Sequence, residues 1–167
     1  MDTIAELRRL AGLEQVVAIG ECGLDFNRDF SPHPQQEKWF ETQVALAEEL
    51  QMPLFLHERE AAGRFCEMLK AVRTSVPAVV HCSTGSRESL TVYLDMGLFI
   101  GITGWICDER RSKPLRELVR EIPLDRVMVE TDAPFLLPRS SFAEDHVGWK
   151  IRPSKNVLKN LFHRNRI

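Results

Sequence analysis

The chain has 167 residues, 44% hydrophobic and 28% charged, which is the balance of one ordinary globular domain and excludes a disordered or fibrous chain. A formal net charge of -2 excludes a global basic field, so any contact with a polyanion must come from a local patch or a bound metal. No apolar run reaches membrane-spanning length, and Asp2 and Glu6 spoil a signal-peptide reading of the first residues.

In chain order, residues 2 to 11 read as a helix, with Ile4, Leu7 and Leu10 at helical spacing and Gly12 to end it. Residues 16 to 20, Val-Val-Ala-Ile-Gly, form a short β-branched run like a strand buried on both faces, which breaks at Glu21-Cys22-Gly23. Residues 25 to 35 read as a loop with Pro32 and Pro34. Residues 36 to 50 form an amphipathic helix with Trp39, Phe40, Val44, Ala47 and Leu50 inward. Leu54-Phe55-Leu56 is a second strand, ending at His57, and residues 61 to 72 are a third helix. Ala78-Val79-Val80 is a third strand, ending at His81. Thr84-Gly85-Ser86 turns into a helix over 87 to 96, and 98 to 103 is a fourth strand. Residues 104 to 113 read as a polar loop, and Pro114 opens a helix to about Ile122. Val127-Met128-Val129 is a fifth strand running into Glu130-Thr131-Asp132. Alternating strands and helices with short links mean parallel strands joined by helical crossovers. The basic stretch 140 to 167 shows no such unit and reads as a tail beyond a domain of residues 1 to 139.

In parallel α/β folds the site lies at the carboxyl ends of the strands. Glu21, His57, His81 and Asp132 each follow a different strand. Parallel neighbours lie about 4.8 Å apart, so such ends can converge on one ion. Two imidazoles and two carboxylates suit zinc, manganese or magnesium, and such a metal polarises a phosphoryl oxygen and makes hydroxide from water. A lone histidine after a buried strand is usually structural; four such residues on strand ends are not explained that way. Asp25 fits either a turn cap or the site, and Arg59 either a carboxylate partner or a phosphate contact. Trp105, with Arg110 in the run 108 to 111, fits an anchored exposed loop or a substrate-contacting one. The four cysteines, Cys22, Cys66, Cys82 and Cys107, form no Cys-x-x-Cys pair, which points to reduced thiols in the cytoplasm or nucleus. Cys22 and Cys82 read as packing residues rather than ligands.

Several segments together resemble the TatD family of metal-dependent deoxyribonucleases. They are Gly20-Glu21-Cys22-Gly23-Leu24-Asp25, Leu56-His57 with Arg59, His81-Cys82 with Thr84-Gly85, Gly101-Ile102-Thr103-Gly104, and Glu130 to Pro134 with Leu137-Pro138. The resemblance implies a TIM-type (β/α)8 barrel, of which about five strands are present here. It also implies a monomeric exonuclease acting on DNA 3′ ends with two divalent metals, in DNA repair or degradation. By the family pattern Glu21 bridges the two metals, His57 and His81 hold one, and Asp132 serves the other and activates water. Arg59, Asp25, Trp105 and Arg110 become candidate substrate contacts.

The sequence also departs from the pattern. No His-x-His pair occurs in these residues, Glu58 and Ser83 stand where the family commonly has cysteine and phenylalanine, and Arg164-Asn165 is not followed by Glu-Pro. These departures lead to the expectation of a truncated barrel whose open sheet edges invite self-association. The metal held by Glu21, His57 and His81 is expected to survive, with two-metal hydrolysis impaired. Two other readings stay open: a metal-dependent amide or ester hydrolase on the same barrel, and a non-catalytic remnant.

Overall fold

The computed structural model describes residues 3–72, 74–108 and 112–132. The tail expected over 140 to 167, and Arg110, lie outside the described residues. The elements are α1 (Thr3–Ala11), β1 (Ile19–Asp25), α2 (His33–Leu50), β2 (Leu54–Arg59), α3 (Ala62–Val72), β3 (Ala78–Val80), α4 (Arg87–Asp95), β4 (Phe99–Ile102), α5 (Lys113–Leu118) and β5 (Val127–Val129). The strands form one five-stranded sheet in the order β1-β2-β3-β4-β5, and every neighbouring pair is parallel. Each crossover carries its chain back across the sheet, so every strand delivers its last residue to the same rim. Among the described residues the sheet does not close: β1 and β5 are its two edges.

Alternation along the strands divides the sheet into two faces. Leu54 and Leu56, Ala78 and Val80, and Ile100 and Ile102 join one core with Phe40, Val44, Phe65, Leu69, Leu90 and Tyr93 of the helices. Phe40 and Phe65 stack with centroids 5.2 Å apart, and Tyr93 meets Phe65 edge-on at 5.9 Å, which locks α2, α3 and α4 side by side over the sheet. The intervening residues Phe55, His57 and Val79 lie on the other face, and His81 continues the β3 alternation there, 5.0 Å from the Phe55 ring. The helices thus cover one face, and the site chemistry occupies the opposite one.

The first strand departs from its expected span. It begins at Ile19 and continues through Glu21 to Asp25, with a register shift between Gly20 and Cys22 where it pairs with β2. Val16 and Val17 precede it, and Val17 is half exposed. The glycines that look like breakers are what allow the pairing: a Cβ on Gly20 would collide with the Phe55 carbonyl, and one on Gly23 with the His57 carbonyl. Both have positive φ, 145° and 156°, so glycine is required on conformational grounds too. Likewise β2 runs past His57 to Arg59.

Helix α2 starts three residues earlier than expected, because Pro34 falls in its first turn, where no amide hydrogen is needed. The expected polar loop after β4 holds a 3-10 turn over Gly104–Cys107. The helix opened by Pro114 starts at Lys113, and its last turn tightens to 3-10 over Val119–Glu121.

Candidate metal centre

Glu21 is the extra residue at the β1 bulge, so it is free of the regular ladder and reaches across the rim. Its Oε1 lies 2.8 Å from Nδ1 of His57 and 3.6 Å from Nε2 of His81. Nε2 of His81 in turn lies 3.8 Å from Oδ1 of Asp132, and the two imidazole centroids are 6.3 Å apart. Donor atoms of Glu21, His57 and His81 fall within 4.8 Å of one another, as do those of His81, Cys82 and Asp132. The structure therefore brings together all four residues singled out at the strand ends, with His81 common to both groups.

Asp25 caps a turn and also touches His57. Its Oδ1 accepts from the backbone N–H of Asn27 (3.1 Å) and Arg28 (2.7 Å), which caps the turn after β1. Its Oδ2 lies 3.3 Å from Nε2 of His57. The His57 ring is thus held between two carboxylates.

Glu130 is a residue whose part the sequence did not reveal. Its Oε2 lies 3.0 Å from Nδ1 of His81, and its Oε1 accepts from the Cys82 N–H at 2.6 Å. A carboxylate can only accept, so Nδ1 carries the proton, and Nε2, which faces Glu21 and Asp132, is the ring atom placed to hold a cation. The signal available beforehand was position: Glu130 directly follows the last strand, two residues before Asp132. Room for it comes from Gly101, whose missing Cβ would overlap the Glu130 carboxylate and lie 3.2 Å from the His81 Cα.

The electrostatics follow from this crowding. The His57 hydrogen bond holds the Glu21 carboxyl below its ordinary range, against the cost of burial. The same bond from Glu21 raises His57. Burial lowers His81, but the Glu130, Glu21 and Asp132 carboxylates together outweigh it and the net shift is upward. Burial alone would raise Asp25; the bonds from Arg28 N–H and His57 reverse it. Burial pushes the Cys22 thiol up to about 12 and raises Cys82 as well, which disfavours a thiolate ligand in either place. Four carboxylates, Glu21, Asp25, Glu130 and Asp132, surround two imidazoles. With the imidazoles neutral, that set carries a large excess of negative charge. Oxygen and imidazole donors with an unmet positive charge fit a divalent cation.

The sequence matches the model of the family described as TatD related DNase over residues 1–163. The chain belongs to this family. It is 60% identical over 139 residues to the 3'-5' ssDNA/RNA exonuclease TatD of Pantoea ananatis (strain LMG 20103), covering 83% of this chain and 54% of that protein. It is 60% identical over 131 residues to the protein of the same name from Klebsiella pneumoniae (strain 342), covering 78% and 50%. The chain spans about half the length of the curated relatives it matches. Among solved structures, a hydrolase TatD family protein from Entamoeba histolytica superposes with a TM-score of 0.69 at 33% identity, over 77% of this chain and 44% of that one. The TatD homolog YJJV from Escherichia coli K12 gives 0.69 at 31% identity, over 78% and 51%. The five parallel strands are accordingly part of a TIM-type barrel.

Of the remaining TatD-type candidates, Arg59 and Trp105 are among the described residues. Arg59 is exposed at the end of β2, directly opposite Asp25 in the register and on the His57 face by alternation. No carboxylate among the described residues pairs with its guanidinium. Trp105 is half-buried in the 3-10 turn after β4 and packs on the core. Glu58, where the family commonly has cysteine, accepts from the Tyr93 hydroxyl at 2.7 Å and from the Ala61 N–H at 2.8 Å. It thereby joins the end of β2 to α3 and α4.

Proposed function

We propose that this chain carries the Glu21, His57, His81 and Asp132 part of a metal-dependent nuclease centre, acting on phosphodiester bonds at the 3′ ends of single-stranded nucleic acid. The observation that supports it best is the convergence of His81 Nε2 on both Glu21 Oε1 and Asp132 Oδ1, at 3.6 and 3.8 Å. The curated relatives are named for this activity. Their name also extends the substrate from the DNA expected at first to RNA.

Glu21, His57 and His81 would hold one divalent ion of the magnesium, manganese or zinc kind, and Asp132 would serve a second. Such ions supply Lewis-acid polarisation of a phosphoryl oxygen and a water acidic enough to ionise near neutral pH. The side chains do the rest. Glu130 fixes the His81 tautomer, and Asp25 holds the Nε2 side of the His57 ring, which leaves its Nδ1, beside Glu21, to face the ion. Asp132 Oδ1 stands at the rim, where it can accept the proton of an attacking water. Arg59 places a fixed positive charge on the same face, suited to a phosphate rather than to a neutral amide. A cytoplasmic location accords with the scattered cysteines, all free among the described residues.

The test is an end-labelled single-stranded oligonucleotide incubated with the chain in manganese or magnesium, beside a panel of small amides and esters. Shortening from the 3′ end is expected to be slow, because no His-x-His pair is present to complete the site of the second ion, and to be lost with chelator, with Glu21→Ala and with Asp132→Ala. Shortening that survives both substitutions in metal-replete buffer overturns the assignment, and turnover of amides in place of DNA replaces it.

A further inference from the structure

A cleft of about 340 Å³ opens beside Glu21 and His57, and its outer wall is Arg28, Phe30, Ser31 and Gln36 from the turn after β1 and the start of α2. Phe30 is 89% exposed. An aromatic ring held in water is unfavourable unless something covers it.

The turn that carries Phe30 is not free to fold the ring away. Asp25 fixes its first residues through the N–H groups of Asn27 and Arg28. Gln36 fastens the middle: its Oε1 accepts from Asp25 N–H at 2.9 Å, and its Nε2 donates to the Ser31 carbonyl at 2.8 Å. The rings of Phe26 and His33 stack 3.7 Å apart, within 8° of parallel, across the ends of the turn. Phe30 is therefore a rigid platform facing solvent. Arg28, beside it, is about half exposed, and its guanidinium approaches the Asp25 carboxylate no closer than 3.8 Å.

We propose that Phe30 and Arg28 form a nucleotide subsite next to the metal centre, in which Phe30 stacks on an unpaired base near the cut end and Arg28 takes an adjacent phosphate. The proposal rests on the nuclease reading above and adds the residues that grip the strand. Stacking suits any base, because each has a π-face, and it requires a base that has left its duplex. A single strand meets that requirement without unpairing. With a net charge of -2 the chain needs a local cation to hold a polyanion outside the metal centre, and Arg28 supplies it. Continuity supports the assignment, since the cleft walled by Phe30 and Arg28 is also lined by Glu21 and His57.

The experiment is fluorescence anisotropy of the chain with two labelled probes: a thymidine hexamer and an abasic hexamer of the same phosphate number. Both carry terminal phosphorothioate linkages that resist cleavage, and magnesium is present. Phe30→Ala is expected to weaken binding of the thymidine hexamer about tenfold, within the range that loss of one stacked base produces. It should leave the abasic hexamer unchanged, and Phe30→Trp should restore the difference. Arg28→Ala should weaken both probes and flatten the salt dependence by about one ion. The exposure of Phe30 makes a folding defect in these variants readily separable by their thermal melts. Binding of the thymidine hexamer by the parent chain and by Phe30→Ala with equal affinity overturns the subsite alone. Failure of the parent chain to bind either probe overturns the subsite and the nuclease reading with it.

Discussion

Glu130 and His81 directly follow strands that are not neighbours, β5 and β3, yet the carboxylate of one stands 3.0 Å from the Nδ1 of the other. Strand β4 lies between them, and the contact passes over Gly101, where no side chain intervenes. The arrangement makes the His81 ring a fixed ligand rather than a mobile one. A cation held by Glu21 and His81 then gains from an orientation already paid for in folding.

Replacing Glu130 should therefore damage metal affinity more than fold. Glu130→Ala removes the partner of both His81 Nδ1 and the Cys82 N–H. Glu130→Gln can accept from one of these donors but must turn its own NH₂ toward the other. Both variants should bind manganese roughly 10- to 100-fold more weakly, the usual cost of losing a carboxylate behind a metal-bound histidine. Calorimetric titration measures this without relying on turnover. Equal affinity in Glu130→Gln and the parent would show that the His81 ring needs no such restraint.

Gly101 offers a second route to the same restraint. Gly101→Ala puts a Cβ into the space of the Glu130 carboxylate and against the His81 Cα. The backbone cannot give as a flexible side chain would, so a loss of about 1–3 kcal/mol of stability is expected from the overpacking, with weakened manganese binding beside it. Gly63, in the first turn of α3, has nothing within 4 Å of a built Cβ. Gly63→Ala should be neutral or stabilising by about 0.5–1 kcal/mol, as helix propensity predicts. Urea unfolding of the two variants side by side checks both signs.

The outline of this site was legible in the sequence because each ligand follows an apolar run, and parallel strands bring such positions to one rim. Three strand cores, 54–56, 78–80 and 127–129, sit where β-branched and apolar runs place them. Strand β1 was misjudged at both ends, because Gly20 and Gly23 signal a break locally yet serve the close approach of β1 to β2, which no local pattern contains. Glu130 escaped for a related reason: its partners are 48 and 49 residues away in sequence, and nothing in its own segment separates a bonded carboxylate from a solvated one. The turn holding Phe30 read as a proline-containing loop. Its rigidity rests on Gln36 and on the Phe26–His33 stack, which become visible only when the turn and the start of α2 are folded together.

A divalent cation should stabilise the folded chain, since the unfolded chain has no such cluster. At a free concentration 100 times the dissociation constant the gain is about 2.7 kcal/mol, which amounts to several degrees in the melting temperature for a chain of this size. Glu21→Ala and His57→Ala remove donors from the three-residue group. Both variants should lose most of the manganese-dependent shift. In chelator both should melt slightly below the parent, because each breaks the Glu21–His57 contact that lowers the Glu21 carboxyl and raises the His57 imidazole. Differential scanning fluorimetry with and without manganese reads both effects. A full shift retained in Glu21→Ala would move the cation elsewhere.

Glu48 predicts how the chain responds to acid away from the site. Its carboxylate accepts from the Thr74 hydroxyl, from the Ser75 hydroxyl at 2.7 Å and from the Val76 N–H at 3.2 Å, fastening the approach to β3 onto the end of α2. Burial alone would raise this carboxyl, and the bonds from Thr74 and Ser75 bring it below its ordinary value of 4.5. A folded-state value below the unfolded one means that the contribution is complete above about pH 4.5, and that it fades as pH falls through the folded-state value. Hydrogen bonds to a charged group are worth about 1.5–3 kcal/mol when buried, and partial exposure of Glu48 brings the expected cost of Glu48→Gln at pH 7 to about 1 kcal/mol. The gap between parent and Glu48→Gln in urea midpoint should hold from pH 7 to 5 and narrow below pH 4. A gap that stays constant down to pH 3 would mean that the neutral acid holds residues 74–76 as well as the carboxylate does, and that charge contributes nothing to the staple.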